Sequence, residues 1–120
     1  MKQAYICKMA DWSYDLVAIG LTSPFSIQPL ATLNQQSYDM MLDCLQGLSN
    51  GVQGWYQFPK YETLPDVQVM IQKYDTDSVV LHLQLGNITL ADMDDNEFQN
   101  FIIELTELKN QPIGSKVYFV

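Results

Sequence analysis

The sequence predicts an α+β fold, a two-layer sandwich of a mainly antiparallel sheet with two amphipathic helices on one face. Three observations carry that prediction. Residues 79–85 alternate apolar and polar side chains, as a half-buried strand does. Tyr38, Met41, Leu42, Leu45 and Leu48 recur at helical spacing, and Phe98, Phe101, Ile102, Leu105 and Leu108 do so again. Further short strand-like runs flank both stripes, bounded by turn-forming residues.

In chain order, residues 5–9 and 16–21 read as short strands joined by the turn-like Ala10-Asp11-Trp12-Ser13. Ser23-Pro24 and Gln28-Pro29 mark a loop through about Leu30. The first helix follows, with Thr32 to Gln35 able to form a capping box or Asn34 able to cap alone. It ends near Asn50-Gly51, and residues 54–58 read as a strand. Residues 59–65 form an irregular loop rich in proline and aromatic character.

Residues 67–74 alternate again, with Val67, Val69 and Ile71 on the apolar face. Their partner is the strand at Val79, and parity chooses the loop between them. A four-residue loop sets Ile71 opposite His82. A three-residue loop with a bulge sets Ile71 opposite Leu81 and Val69 opposite Leu83, which keeps apolar residues together. Gly86-Asn87 then reads as a two-residue turn, placing Leu85 opposite Ile88 and Leu83 opposite Leu90.

The second helix opens at Asp94, whose capping box is completed by Glu97, and Met93 can staple to Phe98. Lys109 suits the negative helix end, Asn110 suits a left-handed cap, and Pro112 stops continuation. Residues 116–120 make a last strand. The two stripes coincide when Tyr38 is laid on Phe98 and Leu48 on Leu108, which predicts a pseudo-repeat of two β-β-α-β units.

The chain has 120 residues and 13.7 kDa, the size of a single domain spanning 1–120, and its 48% apolar share suffices for a core. Fourteen acids face six lysines and no arginine, giving a formal charge of -8. Phosphate and base-edge recognition leans on arginine forks, so no direct nucleic-acid binding is expected. A cationic partner is the natural complement. Cys7 and Cys44 make no CxxC pair and read as buried thiols in a reducing compartment. The N-terminal residues lack a signal-peptide apolar run, and no stretch has transmembrane length. The expected location is cytoplasmic, with no membrane association.

Motifs for chemistry fall short of their requirements. Gly47-Leu48-Ser49-Asn50-Gly51 fits G-x-S-x-G, but a helix precedes it and a strand follows, the reverse of a nucleophile elbow. A helix C-cap at Gly51 explains it better. His82 is the sole histidine and has no ligand close in sequence. Asp92, Asp94 and Asn96 begin like a calcium loop, yet Glu97 stands where glycine is needed and Ile103 where glutamate is needed. Walker A, dinucleotide-binding and HExxH patterns are absent from the sequence. The chain is expected to have no catalytic residues, no metal and no cofactor.

Trp55, Tyr56, Phe58 and Tyr61 form the densest aromatic cluster, and Trp12 with Tyr14 forms a second. The expectation is a non-catalytic binding protein, an inhibitor or immunity-type protein that neutralises a basic protein partner. Trp55 and Tyr61 would be anchors; Glu62, Asp66, Asp92 and Asp95 would be contact acids. A small-ligand site or unfamiliar enzyme with a pocket between sheet and helices is the second reading. A subunit that self-associates through Val80, Met70 and Tyr74 is the third.

Overall fold

A computed structural model describes residues 4–51, 53–59, 68–74, 79–83 and 88–119, with 79–83 described by their backbone pairing. Strand β1 (Ala4–Ala10), β2 (Ser13–Ile19) and β3 (Ile27–Asn34) lead into helix α1 (Gln35–Asn50) and strand β4 (Gly54–Gln57). Strand β5 (Val69–Lys73), β6 (Val79–Leu83) and β7 (Ile88–Met93) lead into helix α2 (Asp95–Leu108) and strand β8 (Lys116–Tyr118). The strands make two four-stranded antiparallel sheets, ordered β3-β2-β1-β8 and β4-β5-β6-β7. The strand after each helix therefore leaves its own half and completes the other half's sheet. The fold is α+β and antiparallel, as the alternation and the two stripes imply.

Each half places three strands before its helix, so the expected β-β-α-β unit is not the observed order. The missed element is β3, which the prolines disguised as loop. Pro29 lacks a donor, but β3 is an edge strand, where one side needs no donors.

Registers in the two halves correspond. Ile6 lies between Leu16 and Val117, and Ile71 lies between Leu81 and Tyr56. A bulge interrupts β2–β3 after Leu16, and another interrupts β6–β7 after Leu81. Each bulge turns two consecutive residues inward, Leu30 with Ala31 and Leu90 with Ala91. The Phe119 amide donates to the Ala4 carbonyl at 3.0 Å, and the Phe58 amide donates to that of Val69 at 2.9 Å.

The parity argument holds for β5–β6, with Ile71 opposite Leu81 and Val69 opposite Leu83. The β6–β7 register differs from expectation. Leu83 faces Ile88 in place of Leu90, and Ile88 is exposed; the bulge accounts for one residue of that two-residue offset. Leu85 and the Gly86-Asn87 turn lie outside the described residues.

Helix boundaries follow local chemistry. The Asn34 side chain accepts from the Ser37 amide at 2.8 Å, and the Asn34 amide donates to the Ser37 hydroxyl at 2.9 Å, closing a capping box. Asp94 accepts from the Glu97 amide at 2.8 Å in the same way. Gly51 caps α1 in an extended conformation. Lys109 caps α2 in the right-handed region, in place of a left-handed Asn110. Gly114, at φ 96°, takes the turn into β8 that a side chain would strain.

The inner faces of both sheets and the two helices share one core, which includes Ile6, Tyr14, Leu16, Tyr38, Ile71, Phe98, Phe101 and Phe119. Tyr14 and Tyr38 stack with ring centres 3.8 Å apart and planes at 12°. The Tyr38 hydroxyl donates to the Leu105 carbonyl at 2.5 Å, tying α1 to α2.

Candidate functional site

Of the expected contact residues, Trp55 and Asp92 lie in one cross-strand row. Trp55 pairs with Gln72, Gln72 with Val80, and Val80 with Asp92. Directly paired residues share a sheet face, so Trp55 and Asp92 stand on the outer face of the second sheet. They occupy opposite edges, roughly 14 Å apart at about 4.8 Å per strand. Trp55 is 68% exposed. Its neighbours show why. Tyr56 and Phe58 alternate with it, turn inward and meet edge to face at 5.0 Å. Tyr56 is a half-buried wall of the core, and that burial pushes its phenol up to about 12, with Cys44 nearby adding to the shift. Tyr61, Glu62 and Asp66 lie outside the described residues.

Asp95 is placed differently. It opens α2 and points its carboxylate toward Lys73, Oδ1 to Nζ 3.7 Å. That distance is too long for a hydrogen bond, and Oδ1 is buried without one. Asp95 thus acts first on a cation of its own chain.

Lys73 is one of two internal lysines among the described residues. It is 2% exposed, and its ammonium donates to the carbonyls of Leu48, Ser49 and Gly51 at 3.0, 3.3 and 2.9 Å. Those carbonyls belong to the end of α1; that of Leu48 also accepts from the Gly51 amide at 3.2 Å, and those of Ser49 and Gly51 lie past the last intrahelical donor. Lys8, 6% exposed, serves α2 from β1, donating to Lys109 and Gln111 carbonyls at 2.7 and 2.9 Å. Each helix end carries negative partial charge, and each receives a buried cation.

Sequence reasoning assigned that role to Lys109 and missed Lys8 and Lys73. The Lys109 ammonium turns to Asp39 instead, at 2.9 Å. This hydrogen bond, reinforced by Lys109's charge and a Gln35 contact, holds the Asp39 carboxyl below the usual carboxylate range despite some desolvation. A signal for the internal lysines existed: both interrupt apolar alternation on the inward parity of their strands, after Ile6 and after Ile71.

The surface charge follows from this placement. Asp11, Asp43, Asp92, Asp94, Glu104 and Glu107 are exposed. Among the described lysines, two are buried, Lys109 is paired, and Lys116 rests over the Tyr5 ring at 4.8 Å.

Two clefts open at the helix ends. One, of about 610 Å³, runs between α2 and β8, with Glu104 and Glu107 facing Lys116 and Tyr118. The other, of about 520 Å³, lies by the β1–β2 turn among Lys8, Asp11, Trp12, Gln35, Asp39 and Lys109. Trp12 stands 69% exposed at this second cleft. Tyr14, its companion in the sequence reading, is instead a core residue whose hydroxyl donates to Gln35 at 3.1 Å. Ser49 lies in the last turn of α1 with its hydroxyl donating back to the Gln46 carbonyl at 2.8 Å. Cys7 is buried and Cys44 exposed, both as free thiols. Among the described residues, no helix is long and apolar enough to cross a membrane. Compared with known proteins, the chain matches no family model, no curated protein and no solved structure.

Proposed function

We propose that this chain is a non-catalytic binding protein whose negative exterior receives a basic protein partner, as an inhibitor or a toxin-neutralising immunity protein would. One observation carries the reading. The fold draws Lys8 and Lys73 inside to serve its own helix ends, so the exposed surface is more acidic than the composition implies. A cationic surface approaching such an exterior is attracted over a Debye length, about 8 Å at physiological salt. Trp55 supplies an exposed aromatic anchor in the row that ends at Asp92.

The test compares the wild-type chain with a variant carrying Asp92→Asn, Glu104→Gln and Glu107→Gln. Both are immobilised and exposed to extract of the source cell at low and high salt. Basic proteins should be retained by the wild type, released by salt, and lost from the neutralised variant. Retention that neither salt nor neutralisation changes, or retention of acidic proteins alone, contradicts the reading.

A further inference from the structure

Strand β8 is an outer member of the first sheet, paired with β1 alone among the described residues. The Lys8 amide donates to the Ser115 carbonyl at 3.0 Å, and the Phe119 amide donates to the Ala4 carbonyl at 3.0 Å. Bonds across an antiparallel pair fall on alternate residues. Alternation therefore gives the backbone groups of Val117 to Ile6 and turns the amide and carbonyl of Lys116 away from β1. They point past the sheet edge, where a further strand would lie. The opposite edge is blunted, since β3 contains Pro29 and a bulge.

A groove accompanies the β8 edge. The cleft of about 610 Å³ is lined on one side by residues 115–118 and on the other by Glu104, Glu107, Leu108 and Gln111. Spacings of three and four residues put Glu104, Glu107 and Leu108 on one flank of α2. Glu104 and Glu107 are exposed, and neither belongs to an ion pair among the described residues. Lys116 is the one cation in the lining, and its ammonium sits over the Tyr5 ring at 4.8 Å. Tyr5 belongs to a small cluster on the sheet's outer face, separate from the core that α2 shares, so this charge lies away from the two glutamates. The other half differs here. Counted from the helix caps, Cys44 and Gly47 stand on α1 where Glu104 and Glu107 stand on α2.

We propose that an extended basic segment of the protein partner adds to the first sheet as an antiparallel strand beside β8, with cationic side chains at alternate positions reaching Glu104 and Glu107. The partner is the basic protein of the reading above, on which this site rests. A sheet edge selects an extended backbone, and two carboxylates without an ion pair select cations. Parity sets the pattern. The residue directly opposite Lys116 shares its outward face and exchanges both backbone bonds with it. The two residues flanking it point toward α2. They lie roughly 6.8 Å apart, and the glutamates are separated by about 4.5 Å of helical rise, a spacing that two arginines can span. The motif is therefore cation, outward residue, cation; a cation at the middle position would meet Lys116. A second copy of this chain is disfavoured, because pairing two β8 edges sets a second Glu104 and Glu107 against the first.

Fluorescence anisotropy of labelled, end-blocked peptides makes the test. Thr-Val-Arg-Val-Arg-Val-Thr should bind the wild-type chain at least fivefold tighter than its isomer Thr-Val-Val-Arg-Arg-Val-Thr. Equal affinities overturn the proposal, since charge alone cannot tell the isomers apart. N-methylation of the central valine should weaken binding at least tenfold by removing its bond to the Lys116 carbonyl, and undiminished binding overturns strand addition. This arm leaves the protein unaltered. Replacing both Glu104→Gln and Glu107→Gln should also weaken binding at least tenfold. Lys116→Pro removes the outward amide without touching a bond to β1, and it removes a positive charge as well. Attraction alone would strengthen binding to that variant, whereas strand addition predicts a loss of at least tenfold. A Lys116→Pro chain that melts cooperatively and binds as well as the wild type overturns the proposal. If neither peptide binds while basic proteins are still retained in a salt-dependent way, the docking strand falls and the reading above stands. If the alternating peptide binds as expected and no basic protein is retained, the reading falls and the strand site stands.

Discussion

The two buried lysines do the same work with different surroundings. Lys73 gives its ammonium to three carbonyls at the end of α1 and has Asp95 at 3.7 Å. Lys8 gives its ammonium to two carbonyls beyond the end of α2, and the corresponding first residue of α1 is the neutral Gln35. One cation is thus held by dipoles and a carboxylate, the other by dipoles alone. The comparison shows that helix-end carbonyls are sufficient to seat a lysine in this fold. The carboxylate is an addition, and its side chain, 42% exposed, is partly screened by water.

Predictions follow that order of dependence. Lys73→Ala should be the most damaging, about 3 kcal/mol in urea unfolding, because it strands the Ser49 and Gly51 carbonyls, leaves that of Leu48 with the Gly51 amide alone, and leaves Asp95 uncompensated. Lys8→Ala should cost less, about 2 kcal/mol, with two carbonyls stranded. If the two losses are equal, the carboxylate and the third carbonyl add nothing and the comparison breaks.

Tyr38→Phe should cost about 1 kcal/mol at neutral pH by removing the hydroxyl bond to Leu105. It should also alter the alkaline limb. Burial raises the Tyr38 phenol above its ordinary value, with lesser contributions from Tyr14 and Asp39. A group whose folded pKa is raised stabilises fully below its unfolded pKa, near 10, and loses that contribution as pH climbs further. Wild-type melting temperature should therefore fall above about pH 10, and the variant should fall less steeply. Asp95→Asn should make the Lys73 site resemble the Lys8 site at a cost of about 1 kcal/mol or less. Smallest of all, Asp39→Asn should cost roughly 0.5 kcal/mol or less, since the Asp39 side chain is half exposed. Asp39's lowered pKa means that contribution exists at neutral pH and disappears as acid takes the pH below the carboxylate range.

Short-range signals in the sequence were sound. The Asp94–Glu97 capping box, both helix stripes and the β5–β6 register all follow from rules that span a few residues. Beyond that range the reading lost accuracy. Strand β3 was obscured because Pro29 signals a loop unless one knows that the strand lies at an edge. The partner of Leu83 was misjudged, Ile88 taking the place of Leu90, and the bulge after Leu81 accounts for one residue of that two-residue offset. Leu30-Ala31 and Leu90-Ala91 recur before the two helix caps and were an available clue to both bulges. For the candidate site, alternation against Tyr56 and Phe58 could place Trp55 but could not tell which side faced water.

The sequence by itself determined the α+β class, the two helices with their caps, and the excess of negative charge. Periodicity, capping and composition are local or additive quantities, so they can be read along a chain. Only the tertiary structure decided that β4 and β8 would exchange sheets, that Asp95 would turn to Lys73, and that two lysines would leave the surface. Those outcomes depend on groups far apart in sequence meeting in space, as when unsatisfied carbonyls at a helix end select the nearest buried ammonium.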